Sequence, residues 1–282
     1  MENIKLKRHE TFSIREGWLE KAINIIKEYP DCFKGNEGPK YFGLGSNMCK
    51  SLRYWCIACG IAEFSQKGEA KLTDNGLLLY KYDKYLDDDF SWWMLHFWLC
   101  INEKEAPIFN MLFNMDYKKF DKTFLFNIFY DEICTKYLEP NKSSLESDIS
   151  IVLKSYYSND SSNPEDNLSC PFGKLKLLNM IDAKTYEKLS PSMNSLDYRI
   201  VYLALLNVFK ETKDFNVEDI GLYNNNPMKI FNLTKSSMFV YLDEMKKAGY
   251  LSVIKTAGLN TVHILNEITY EEAFKSYFKD KE

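Results

Sequence analysis

From Ser46 to Cys59 the sequence SNMCKSLRYWCIAC can bury one side of a helix and must leave the other side polar. That pattern constrains the fold around it more than any other feature. At 100° per residue, Met48, Leu52, Trp55, Cys56 and Cys59 fall in one apolar sector. Ser46, Asn47, Lys50, Arg53 and Tyr54 fall on the opposite side. Gly60 follows at the position that ends a helix. Upstream, EGPKYFGLG supplies a short helix and a glycine-containing turn, so Ser46–Cys59 reads as the second helix of a helix–turn–helix. Downstream, IAEFSQ and KLT read as short strands around the KGEA turn, and LTDNGLLLY opens another helix. A helix–turn–helix followed by a β-hairpin is the plan of a winged helix.

Charge gives this helix its candidate function. The chain carries 36 basic and 40 acidic side chains, a net charge of −4, which argues against a nonspecific nucleic-acid coat. Yet no Asp or Glu occurs from Gly38 to Ala62, where Lys40, Lys50 and Arg53 stand. Carboxylates on the outer face would repel phosphates, whereas Lys50 and Arg53 attract them. Asn47 and Arg53 also carry groups suited to base edges. The candidate contacts to double-stranded DNA are therefore Ser46, Asn47, Lys50, Arg53 and Tyr54 on the helix, with Lys67 and Lys71 on the hairpin. Two cations on a helix also occur on ordinary solvated faces, and many winged helices bind protein, so protein contact stays open.

The pattern recurs near the carboxyl end. Thr234 is placed to cap a helix from Lys235 to Ala248, ended by Gly249. YLSVIKT and NTVHIL follow as strands, with Ala257–Gly258 in the turn. Phe239, Leu242 and Met245 are expected inside. The outer face carries acids, with Glu244 on it and Asp243 at its edge, so it suits protein contact or dimerisation better than DNA. Val240, Tyr241 and Glu244 are the candidate partner contacts.

The remainder reads mainly as helix. Ser13 is an N-cap candidate for a helix with Ile14, Trp18, Ala22, Ile25, Ile26 and Tyr29 on its apolar stripe. Phe120–Tyr137 and Asp197–Lys210 are further helices, and the acidic run Asp87–Asp89 favours the start of the helix that follows it. Trp92, Trp93, Phe97 and Trp98 in that helix are mostly core, with room for a partner contact. SNDSSNPEDN (158–167) is a polar loop by composition and YNNNP (223–227) a second break. The expected architecture is mainly α. A winged helix (residues 1–82) and a second one (195–282) flank a helical middle domain (83–194).

Catalytic patterns are missing from the sequence. His9, His96 and His263 form no metal-type pair, and there is neither a phosphate-binding glycine loop nor a GxSxG elbow. Cys49, Cys56 and Cys59 share a helical face and could ligate a metal with one more donor, but small thiols filling a core are the simpler reading. We therefore expect no cofactor, no resident metal and no enzymatic activity. Seven cysteines, an odd number in a long chain, suggest reduced thiols in a cytoplasm. The most apolar run, Phe90–Cys100, is too short to cross a bilayer.

Four segments together resemble a known family. RHETFSIREGWLEKA (Arg8–Ala22), FGLGSNMCKSLRYW (Phe42–Trp55), YLDDDFSWWMLHFWL (Tyr85–Leu99) and CPFGKLKLL (Cys170–Leu178) are similar, in order, to the signatures of the bacterial domain-of-unknown-function family 4007. The sequence departs from the family pattern at Ser46, often Lys there, and at Cys49, often Val. The first departure removes a phosphate-binding charge. The second implies that Cys49 is no obligatory ligand. The resemblance implies a setting in DNA-phosphorothioation and phage-defence islands, beside a phosphoadenosine-phosphosulfate-reductase-like protein as the expected partner. A nonenzymatic DNA-binding accessory, or a subunit contacting that partner, would suit such a setting.

Overall fold

The computed structural model describes residues 2–157, 170–209, 211–256 and 259–281. The polar stretch 158–167 and the Ala257–Gly258 turn lie outside these residues. The chain is mainly helical with small antiparallel sheets. Its contacts form two compact units: Met1–Leu112 with Tyr117–Leu189, and Phe113–Asp116 with Ser190–Glu282.

In chain order the elements up to Leu189 are α1 (Trp18–Glu28), α2 (Gly38–Phe42), α3 (Ser46–Ala58), β1 (Ala62–Phe64), β2 (Ala70–Leu72), α4 (Asp74–Tyr82), α5 (Asp89–Ile101), α6 (Pro107–Asn114), β3 (Lys119–Phe120), α7 (Lys122–Lys136), α8 (Lys142–Tyr156), β4 (Leu178–Met180) and β5 (Tyr186–Lys188). β1 and β2 form a hairpin with Glu63 opposite Lys71, and β3, β5 and β4 form a second antiparallel sheet in that order.

Local chemistry explains several of these boundaries. Thr73 caps α4 by accepting a hydrogen bond from the Gly76 amide at 3.2 Å, and Asp121 caps α7 by accepting from Phe124 at 2.8 Å. Asp88 of the acidic run caps α5, accepting from the Phe90 amide at 2.9 Å. Every side chain from Phe90 to Cys100 is buried, so α5 runs through the interior and leaves Trp92, Trp93, Phe97 and Trp98 no exposed face for a partner.

Three expectations need correction in this unit. Ser13 does not cap α1. The helix begins at Trp18, after Gly17 in a left-handed conformation at φ 77°, and Ser13 is buried. Docking of the preceding segment sets its position: the Phe12 carbonyl accepts from Ser51 Oγ at 3.4 Å and Trp55 Nε1 at 3.0 Å. Tyr29 lies beyond the buried stripe and is exposed. The border read at residues 82–83 falls inside the first unit. Asn102 donates to the carbonyls of Ile57 (3.3 Å) and Ala58 (3.0 Å), and the Phe109 ring meets Trp55 edge-on at 5.6 Å, so both sides of that border share one core.

From Ser190 the elements are α9 (Tyr198–Phe209), β6 (Asp214–Asn216), α10 (Pro227–Ile230), α11 (Lys235–Lys247), β7 (Leu251–Thr256), β8 (Leu259–Ile264) and α12 (Tyr270–Lys279). The sheet order is β6–β8–β7, all antiparallel. Thr234 caps α11 as its position suggests, accepting from the Ser237 amide at 3.1 Å, and Gly249 follows the helix at φ 77°. β6 has too little apolar alternation to be read from sequence. It is held by pairing Phe215 with Val262 and by stacking Phe215 on Phe209 at 3.9 Å.

Candidate nucleic-acid interface

The candidate face is built by the turn between α2 and α3. Gly43 ends α2 in the left-handed region at φ 64°, a conformation that costs a residue with a Cβ. Gly45 then enters α3 in an extended conformation. At Gly38 an added Cβ would stand 3.0 Å from the Cys49 Cβ, so the start of α2 lies directly on α3.

Ser46, Asn47 and Lys50 are exposed on α3. Lys50 Nζ donates to Asn47 Oδ1 at 3.4 Å, one turn away. Arg53 is half-buried, its guanidinium over the Phe64 ring at 4.5 Å. Its Nε is buried without a hydrogen-bond partner. Burial, and secondarily the charge of Arg8, lowers its pKa from the ordinary arginine value, the direction expected for a cation with no carboxylate beside it. Ser46, Lys50 and Arg53 line one cleft of about 130 Å³ together with Asn36, Pro39 and Cys49.

Tyr54 does not belong to this face. It is 7% exposed, with its ring 5.0 Å from Trp55 and edge-on to His9 at 6.1 Å. Burial drives its hydroxyl pKa far upward. An isolated helical wheel leaves this flank open, but the amino-terminal segment lies over it, and the Arg8 guanidinium sits 6.0 Å from the Tyr54 ring.

The hairpin is more mixed in charge than the helix. Lys67 is exposed at the turn, whereas Lys71 pairs with Glu63 at 3.6 Å across the strands. Lys40 likewise faces Glu37 at 3.5 Å. The structure therefore brings Ser46, Lys50 and Arg53 together at a cleft and offsets the charge of Lys71. Sequence reasoning missed Asn36 and Phe64. They reach the site from the loop before α2 and from β1, and no local pattern announces either approach.

In the second unit, Val240 is exposed and Glu244 is half-buried on α11. Burial, then the charge of Asp197, raises the Glu244 pKa above the usual carboxylate value. Tyr241 is fully buried and its hydroxyl donates to the Leu196 carbonyl at 3.2 Å, so it is no partner contact. Phe239, expected inside, is half-buried, while its neighbour Met238 is wholly buried.

Cys49, Cys56 and Cys59 are free thiols packed in the core. Burial raises all three pKa values. Among the described residues no group of three or more His, Cys, Asp or Glu side chains is arranged to hold a metal ion. Among the same residues no helix is long and apolar enough to cross a membrane.

The model of the family described as "Protein of unknown function (DUF4007)" matches residues 6–278. The chain belongs to the DUF4007 family. No curated protein matches it. Two solved structures are similar in fold, one of magnesium ion-bound SspB at 23% identity and one of SspB at 22%. For each the TM-score is 0.85, and the alignment covers 98% of this chain and 87% of that chain. At such identity the likeness concerns the fold alone.

Proposed function

We propose that this DUF4007 member binds double-stranded DNA through the exposed face of α3, as a nonenzymatic accessory or regulator of a phosphorothioation-type DNA-modification or phage-defence system. The observation that carries the reading is Arg53, a half-buried guanidinium with no carboxylate partner on a helix with no acid in its first turn. Lys50 and Asn47 stand exposed on the same helix. An uncompensated cation beside exposed donors suits a polyanion that supplies the missing charge.

Element order supports reading both ends as winged helices. The order α2–α3–β1–β2 is that of a helix–turn–helix with its hairpin. The order α9–β6–α10–α11–β7–β8, with the sheet order β6–β8–β7, adds the usual third strand. The genomic setting rests on the family resemblance and is an association.

The test is duplex binding by fluorescence anisotropy at two salt concentrations. Lys50→Glu with Arg53→Glu should weaken binding by orders of magnitude. It should also reduce the slope of log affinity against log salt by about one for each phosphate the variant no longer neutralises. Unchanged affinity and slope in a folded double variant would overturn the reading.

A second reading is protein contact through the carboxy-terminal unit, with a reductase-like partner or a second copy of the chain. Its supporting observation is apolar exposure: Leu222 is 76% exposed, and Ile254 and Val240 about half. Leu222→Asp with Val240→Asp should abolish partner binding or self-association in sedimentation while leaving duplex affinity intact.

A further inference from the structure

The geometry points to a seat for one tetrahedral oxyanion, a phosphate group, in the cleft between α2 and α3, held by the amino end of α3, Ser46, Lys50 and Arg53. The proposal deepens the DNA reading and rests on it for the identity of the molecule that carries the phosphate.

Four features converge on this cleft. Ser46, Lys50 and Arg53 are spaced i, i+4, i+7, so one stripe of α3 presents a hydroxyl, an ammonium and a guanidinium in turn. The residue before the helix is Gly45, which offers no side-chain cap, and the first turn has no acid, so its positive end is not locally neutralised. Arg53 lines the cleft, and its Nε is buried without an acceptor, so its charge goes unmatched within the protein. The cleft has no carboxylate among its lining residues. Another cleft in the same unit has the opposite character, lined by Glu16, Glu20, Asp87 and Asp89 around the single cation Lys174. The two clefts therefore differ in the sign of their lining charge.

Packing fixes the donors before any ligand arrives. The Arg53 guanidinium sits over the Phe64 ring at 4.5 Å, and α2 closes one wall because Gly38 allows it to touch Cys49. A planar guanidinium restrained in this way loses little freedom when it forms charge-assisted hydrogen bonds. Two sources could supply the group: a backbone phosphodiester of the duplex or a terminal phosphomonoester.

The test is calorimetric titration of the full chain with inorganic phosphate at constant ionic strength. The wild type should bind one phosphate saturably. Arg53→Gln should bind at least about tenfold more weakly, the factor for one missing charge-assisted hydrogen bond. Ser46→Glu should lose binding as well. Its carboxylate occupies a first-turn position that favours the helix, so this variant guards against misfolding of Arg53→Gln. Lys174→Gln removes the same unit of charge elsewhere and should bind as the wild type does. Absence of saturable phosphate binding, or binding unaffected by both Arg53→Gln and Ser46→Glu, overturns the seat.

Duplexes with and without 5′-phosphates then identify the source. Competition of inorganic phosphate with both duplexes supports the backbone, and competition only with the phosphorylated duplex supports the terminus. Phosphate binding without any duplex binding keeps the seat and removes the DNA reading. Duplex binding with no phosphate effect in either form removes the seat and keeps the DNA reading.

Discussion

Single residues in the core show how burial sets chemistry. Cys32 is wholly buried, and burial pushes its thiol from the ordinary 9.0 to about 11. Cys170 is pushed up to about 12 for the same reason. A thiol whose folded pKa lies above its unfolded value keeps the folded state's extra protons, so its stabilisation is full below pH 9. The stability is lost as the pH rises from about 9 through the folded values. Chemical denaturation followed from pH 8 to pH 11 should therefore show falling stability, and a Cys32→Ala, Cys170→Ala variant should show a shallower fall. Thiol–disulfide exchange reagents should label Cys134, the one cysteine not buried, before the other six. Rapid labelling of several thiols in the native protein would contradict that burial. Asp148 is a second residue-scale case. It accepts from the Lys7 amide at 2.9 Å and 3.1 Å and pairs with Nε2 of the buried His9. Asp148→Ala strands both donors and should cost about 2–6 kcal/mol in urea denaturation, at about 1–3 kcal/mol for each donor left unmade. Asp148→Asn, which keeps an acceptor oxygen, should cost less.

Among the elements, the junction between β2 and α4 is the most tightly specified. Thr73 accepts from the Gly76 amide and donates its hydroxyl to the Gly60 carbonyl at 2.6 Å, so one side chain caps α4 and ties it to the end of α3. Thr73→Ala should lower stability by about 1 kcal/mol, and Thr73→Ser should recover most of that loss. Gly76 is stricter. A Cβ there would lie 2.2 Å from the Ile61 carbonyl oxygen, a backbone atom with no rotamer to change. Gly76→Ala should cost about 3 kcal/mol, at the upper end for overpacking, whereas Gly38→Ala meets a cysteine side chain at 3.0 Å and should cost less. Thermal melts of the four variants test this ranking, and a Gly76→Ala protein as stable as wild type would overturn the close approach. These elements also hold the candidate interface in place, because the hairpin they anchor supplies Phe64 beneath Arg53.

At the scale of the whole molecule, the chain's contacts form two units, and the second takes in four residues from before the first one closes. Asn114, one of those four, accepts from the Asn225 amide at 2.6 Å and donates to its side chain at 2.9 Å. A fragment of residues 190–282 retains the sheet β6–β8–β7 and its helices but lacks Asn114. It should fold cooperatively yet melt at a lower temperature than the same unit in the full chain. Asn114→Ala in the full chain should reproduce part of that loss. A fragment without a cooperative transition would show that the second unit is not autonomous.

The sequence by itself determined what is decided within a few residues. The extents of α3 and α11, the Thr234 cap, the turn glycines and both carboxy-terminal strands could be read because caps, helical spacing and backbone sterics act locally. The free, buried state of the cysteines in α3 was legible for the same reason: they share the helix's apolar side. Tertiary structure decided the rest. Tyr54 and Tyr241 look outward on isolated helices, yet the amino-terminal segment covers one and the Leu196 carbonyl receives the other. Residues 1–112 and 117–189 share a core because Asn102 and Phe109 reach back to α3 across a border that the sequence pattern suggested. Arg53 illustrates both sides. Its charge and its freedom from neighbouring acids are written in the sequence. That its guanidinium rests on Phe64 with Nε unpartnered depends on a hairpin folding back across α3, a long-range packing that local spacing does not encode.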